Sequence, residues 1–143
     1  MRVQLFGTCM VDTFFPETGT AVLKLLRHFG VEVAYPNGQT CCGKPPDSGG
    51  YARESRKAAE HFISVFGGGS DPIVVPSGSC ASMVKNHYPQ LFEDNPAMSE
   101  KAHAIAGRTY GGTVPRSSPT IRARCRHDSR HATAYISSAG YRT

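Results

Sequence analysis

Hydrophobic residues fall along the first 110 positions in short runs that alternate with helical stripes. Val3-Gln4-Leu5-Phe6, stopped by Gly7, predicts a buried strand. Pro16 suits the first turn of a helix, and Val22, Leu23, Leu25, Leu26 and Phe29 form its apolar stripe, with Lys24, Arg27 and His28 outside and Gly30 as the stop. Val31-Glu32-Val33-Ala34-Tyr35 predicts the second strand, turned by Pro36-Asn37-Gly38. Ser48 is placed to cap a second helix, in which Tyr51, Ser55, Ala58, Ala59, Phe62, Ile63 and Phe66 recur at helical spacing up to Gly67-Gly68-Gly69. Pro72-Ile73-Val74-Val75-Pro76 is β-branched and predicts the third strand. A short helix follows from about Ala81 to His87, and Asn95-Pro96 opens another with Met98, Ala102, Ile105 and Ala106 inward.

The order β-α-β-α-β-α-α predicts an α/β fold: three layers, with a mostly parallel sheet flanked by helices and right-handed crossovers. Loops leaving the carboxyl ends of such strands share one edge, where ligands bind. Each predicted strand is followed there by cysteine: Cys9 after the first, Cys41 and Cys42 after the second, Cys80 after the third. Four thiols from three loops are therefore expected to face one crevice.

Adjacent cysteines rarely bond to each other, because a vicinal disulfide strains the peptide between them. Gly43, Pro45 and Pro46 mark the pair's surroundings as a non-helical loop. Four thiolates suit zinc or an iron–sulfur cluster. The spacing Cys9-x31-Cys41-Cys42-x37-Cys80 lacks the close Cys-x-x-Cys knuckle usual for structural zinc, and favours a cluster whose irons take thiols at different points. Gly43, Gly78 and the helix start near Cys80 offer backbone N–H groups to the sulfurs.

Composition narrows the setting. The 143 residues allow one domain with a real core, no stretch is long or apolar enough to span a membrane, and the N-terminus has no signal-peptide pattern. A cytoplasmic location is the expectation, and there five cysteines read as metal-binding or catalytic before structural. The net charge of +5 lies wholly in residues 111–143, where six arginines face Asp128 alone. That tail has no lysine and no helical period, so nucleic-acid binding is not expected. Residues 1–110 form the predicted cysteine-rich domain and 111–143 an Arg-rich, linker-like tail without a core of its own.

Three segments carry a family resemblance: Leu5-Phe6-Gly7-Thr8-Cys9-Met10-Val11-Asp12, Gly38-Gln39-Thr40-Cys41-Cys42-Gly43-Lys44-Pro45 and Val75-Pro76-Ser77-Gly78-Ser79-Cys80, continued by Tyr88-Pro89-Gln90-Leu91-Phe92. Together they resemble the cysteine-rich CCG-domain iron–sulfur proteins. That family includes a component of heterodisulfide reductase, the iron–sulfur subunit of glycolate oxidase and, nearest in pattern, the A subunit of the bacterial lactate-utilisation complex. The resemblance implies an electron-transferring subunit for oxidation of a 2-hydroxy acid, L-lactate or glycolate, working with sister subunits. It implies Cys9, Cys41, Cys42 and Cys80 as ligands of a cluster of the 4Fe-4S type, and assigns no catalytic residue. Two departures stand out. Family motifs often end Cys-x-x-Cys, and that last position here is Met83. Family chains usually hold two copies of the domain; Arg126-His127-Asp128-Ser129-Arg130-His131 looks like the start of a second copy with Arg130 in place of its cysteine, as a truncated or frame-disrupted gene would give.

Each signal has a plainer reading. A lone Cys9 or Cys80 reads first as a small buried hydrophobe, and only position relative to the pair reverses that. Cys125 in the tail reads as an incidental thiol; His28, His61, His87 and His103 read as solvated; Met10 and Met83 read as core filling. Ser77-Gly78-Ser79 lacks the Lys-Ser/Thr ending of a phosphate loop. The alternative function is a non-catalytic remnant that binds partner subunits, or a zinc ion, through the same thiols. A third reading, a thiol–disulfide switch, predicts a Cys41–Cys42 or Cys9–Cys80 bond.

Overall fold

The apolar run that opens the chain becomes one of two central strands. The computed structural model describes residues 1–111; Cys125, the 126–131 segment and the rest of the Arg-rich tail lie outside them. β1 (Arg2–Leu5), β2 (Glu32–Ala34), β3 (Ile73–Val75) and β4 (Thr109–Gly111) form a sheet of order β2-β1-β3-β4. Every neighbouring pair is parallel, with Val3 opposite Val33, Leu5 opposite Val74 and Val74 opposite Tyr110. Parallel strands need crossovers, which helices supply. α1 (Cys9–Phe14) and α2 (Pro16–His28) connect β1 to β2; α3 (Lys44–Ser48) and α4 (Ala52–Phe66) connect β2 to β3. α5 (Gly78–Ser82), a π-helical segment (Met83–His87), α6 (Tyr88–Leu91) and α7 (Pro96–Arg108) connect β3 to β4. The result is the expected three-layer α/β arrangement. No helix among the described residues is long and apolar enough to cross a membrane.

β3 is buried along its whole length, which is why its sequence is a continuous β-branched run rather than an alternation. α4 buries Ser55, Ala59, Phe62, Ile63 and Phe66 of the expected stripe, whereas Ala58 is half-buried and Tyr51, which precedes the helix, is exposed. Its aromatics build the core: Phe62 and Phe66 stack at 4.4 Å, and the edge of Phe6 meets them at 4.9 and 5.6 Å. Tyr88 joins edge-on to Phe62 at 5.5 Å. Arg108, at the end of α7, donates to the carbonyls of Asp71 (2.6 Å) and Phe66, so a cation closes the carbonyl end of α4.

Several elements differ from the expected ones. Cys9 opens a helix rather than lying in a loop, because the Thr8 hydroxyl accepts from the Val11 N–H at 3.3 Å and caps it. Pro45 and Pro46 do not prevent α3: in a first turn the N–H groups have no helical partners, so losing them costs nothing. Ser48 accordingly ends α3 instead of capping α4, which starts at Ala52. The helix after β3 starts at Gly78, three residues earlier than expected, and so contains Cys80. β4 was not expected; three residues ending in glycine carry no period, and pairing with β3 makes them a strand. Met10 is exposed and not core filling, whereas Met83 is fully buried.

Gly43 sits at φ +85°, left-handed backbone that glycine adopts at little cost. A Cβ there would also lie 3.1 Å from the Ser55 carbonyl oxygen and 3.2 Å from the Ala58 Cβ. Gly43→Ala is therefore expected to lower the unfolding free energy by about 2 kcal/mol, while Gly68→Ala, which meets nothing within 4 Å, stays within about 0.5 kcal/mol. Phe66→Ala empties the centre of the aromatic cluster and is expected to cost about 3–5 kcal/mol. Urea denaturation under reducing conditions measures all three; equal midpoints for Gly43→Ala and Gly68→Ala would contradict the backbone argument.

Candidate functional site

From β1 the chain crosses to one side of the sheet and from β3 to the other, so the connections part between these two neighbours. At such a point the loops swing apart and leave a crevice outside the carboxyl ends of the strands. Cys9 follows β1 and Cys80 follows β3, which puts one cysteine on each side of that parting. The loop after β2 carries Cys41 and Cys42 to the same edge.

The four thiols are free and gathered there. Cys9 Sγ lies 3.9 Å from Cys41 Sγ. Cys42 is hydrogen-bonded to Cys80, and Cys9 and Cys80 are close enough for their charges to act on each other. Cys9 thus lies beside Cys41, and Cys42 beside Cys80. Cys42 and Cys80 are buried in the same apolar cluster as Phe6, Phe62, Val75 and Met83; Cys9 and Cys41 are half-exposed.

Side chains other than the cysteines hold this arrangement. Gln39 spans from the pair's loop to the β1 loop: its Oε1 accepts from Gly7 N–H at 2.9 Å, and its Nε2 donates to the carbonyls of Leu5 and Pro36, both at 3.0 Å. The Tyr88 hydroxyl donates to the Cys42 carbonyl at 2.9 Å, and the Ser55 hydroxyl to the Gly43 carbonyl at 3.2 Å. Asp47 pairs with Lys44 Nζ at 2.9 Å and His87 Nδ1 at 3.4 Å, tying α3 to the π-helical segment. His87 is thereby half-buried with Nδ1 against Asp47 rather than solvated.

The electrostatics separate the thiols. Cys80 accepts the Cys42 thiol hydrogen bond and, although burial opposes it, further bonds from the hydroxyls of Ser77, Ser79 and Thr8; its pKa falls to about 6. Cys42, donating to Cys80 and buried, keeps its proton far above the ordinary thiol range. Burial, then the neighbouring Cys41, raises Cys9 as well. The site therefore favours charge on Cys80 while Cys42 and Cys9 hold their protons. Gly43 N–H donates to Cys41 Sγ at 3.4 Å, the kind of backbone donor that stabilises charge on sulfur.

Among the described residues no three His, Cys, Asp or Glu side chains are turned on one point as a single metal ion requires. The Cys9 and Cys41 sulfurs lie 3.9 Å apart, and Cys42 acts on Cys80. As a donor set, four soft thiols with N–H and hydroxyl groups directed at their sulfurs fit an iron–sulfur cluster. Tyr88, Gln39, Thr8 and Ser55 are the site residues that sequence reasoning missed. Tyr88 lay in a segment that carries the family resemblance, and Gln39 directly precedes the Thr-Cys-Cys run, but neither contact is encoded in local spacing.

Comparison with known proteins agrees with this construction. The cysteine-rich (CCG) domain family matches residues 3–85. Lactate utilization protein A 2 of Bacillus cereus (strain Q1) is 46% identical over 110 residues, which are 77% of this chain and 45% of that protein. Lactate utilization protein A of Bacillus licheniformis is 47% identical over 110 residues, with the same shares of the two chains. The chain thus spans less than half the length of these relatives. No solved structure matches it. Its three cysteine-bearing motifs all fall within the matched residues, and the chain belongs to the cysteine-rich CCG domain family.

Proposed function

We propose that the chain is an iron–sulfur, electron-transferring component of a 2-hydroxy-acid oxidation complex, with L-lactate as the first candidate substrate and glycolate as the second. The observation that carries this reading is the meeting of Cys9, Cys41, Cys42 and Cys80 at the parting of the sheet connections. The relatives' names support lactate as the context. Cys9, Cys41, Cys42 and Cys80 are the proposed ligands of a 4Fe-4S-type cluster, which when bound supplies one-electron transfer. The partners are sister subunits, in a reducing cytoplasmic compartment.

The chain's own residues have definable work in this proposal. Cys42 and Cys80, backed by Phe62, Val75 and Tyr88, keep water from one side of the site. Cys9 and Cys41 leave the other side open, the side from which an electron partner can approach. Ser77, Ser79 and Thr8 favour charge on Cys80 and thereby favour a cationic cluster over protons. The alternative is zinc held through the same thiols in a non-catalytic module; a tetrahedral zinc site puts its sulfurs about 3.8 Å apart, close to the 3.9 Å between Cys9 and Cys41, so metal content and redox activity decide between the two.

Anaerobic reconstitution of the chain with iron and sulfide tests the proposal. The expected product is brown, contains iron and sulfide, and shows a paramagnetic resonance signal in one redox state. Changing the shell around a metal costs about 10–100-fold in affinity, so Cys42→Ser and Cys80→Ser, which remove proposed ligands, are expected to lower bound iron by at least about tenfold. A colourless, iron-free product, or stoichiometric zinc without redox activity, would overturn the reading.

A further inference from the structure

The peptide group between Cys42 and Gly43 is held at both ends. Its carbonyl accepts the Tyr88 hydroxyl at 2.9 Å, and its N–H donates to Cys41 Sγ at 3.4 Å. A trans peptide is planar, with C=O and N–H pointing in opposite directions, so fixing one end aims the other. We propose that Tyr88 is a positioning residue: by holding the Cys42 carbonyl it aims the Gly43 N–H at the Cys41 sulfur.

Three features make the hydroxyl an effective anchor. Tyr88 is fully buried, with its ring edge-on to Phe62 at 5.5 Å, so it has no second place to go. It directly follows the π-helical segment Met83–His87. One π turn shifts the downstream helix by about one residue, roughly 100° around its axis, so the wide turn decides which way the ring faces. On the other side of the peptide, Gly43 in its left-handed conformation has its own carbonyl held by Ser55 at 3.2 Å, leaving little freedom to rotate. A residue that merely filled the core would need the ring of Tyr88 but not its hydroxyl.

The consequence for the Cys41 sulfur is electronic. An N–H donor withdraws negative charge from a thiolate, and such bonds raise the reduction potential of a bound iron–sulfur group. That second consequence rests on the function proposed above; the aiming of the Gly43 N–H does not.

The test uses the full chain and Tyr88→Phe, which removes the hydroxyl and keeps the ring. In the reduced apoprotein, Gly43 amide hydrogen exchange is expected to accelerate about tenfold, as for loss of one hydrogen bond, with the α4 amides unchanged. In the reconstituted protein the reduction potential is expected to fall at equal iron content. Should Tyr88→Phe fail to fold, 3-fluorotyrosine at position 88, a stronger donor of the same shape, is expected to slow Gly43 exchange and raise the potential. Gly43 exchange unchanged in a folded variant, or accelerated only in step with every other amide, overturns the proposal. If the unsubstituted chain takes up no iron, the function proposed above fails, and the Gly43 exchange still decides the role of Tyr88.

Discussion

Two thiols on adjacent residues must be sent to different partners, and the structure depends on how that is done. Cys41 meets Cys9 at the open side of the site, and Cys42 meets Cys80 at its buried side. The loop is short and has no regular structure of its own, so its direction is imposed from outside. Gln39 binds it to the end of β1, Ser55 to α4 and Tyr88 to the helical run after β3. Each anchor comes from a different crossover or strand end, so the loop is oriented only once all three βα units have docked. Gly43 at positive φ is the one residue type that lets the chain turn from the pair into α3 at this point without a steric cost.

The same dependence explains what could be read in the sequence. Val3–Phe6, Val31–Tyr35 and Pro72–Pro76 each lie over an observed strand: β3 is a continuous buried β-branched run, and β1 and β2 are short apolar stretches interrupted by Gln4 and Glu32. The placing of cysteine after each strand followed from topology alone. Tyr88 could not be placed, because its partner is 46 residues away and its direction is set by a π turn with no sequence signal. Local rules also misled where they were applied too strictly. Two prolines read as loop sit harmlessly in the first turn of α3, and Thr8 makes a helix of what looked like a loop at Cys9.

Met83 shows how the site and core share one volume. It is fully buried in the cluster that contains Cys42 and Cys80, at the start of the π-helical segment. Where the resembling motifs often carry a further cysteine, this chain has a long, adaptable thioether that packs against the core. It shares the buried apolar cluster with Cys42 and Cys80 and leaves four cysteines at the gathering point among the described residues.

The split between a buried and an open pair has an electrostatic cause as well as a packing one. Several charged sulfurs cannot share an apolar pocket, because each repels the next and burial penalises the charged form. The pocket resolves this by letting Cys80 carry charge, surrounded by three hydroxyls and the Cys42 thiol, while Cys42 and Cys9 hold their protons. Protons on Cys42 and Cys9 thus let these thiols lie beside Cys80 without a cation. Under the proposed function, a positively charged group would exchange for those protons, and the hydrogen bonds that now favour one thiolate would bear on the sulfurs that held it. The orientation of the loop does not depend on those protons: Gln39, Ser55 and Tyr88 hold its backbone through contacts that involve no thiol.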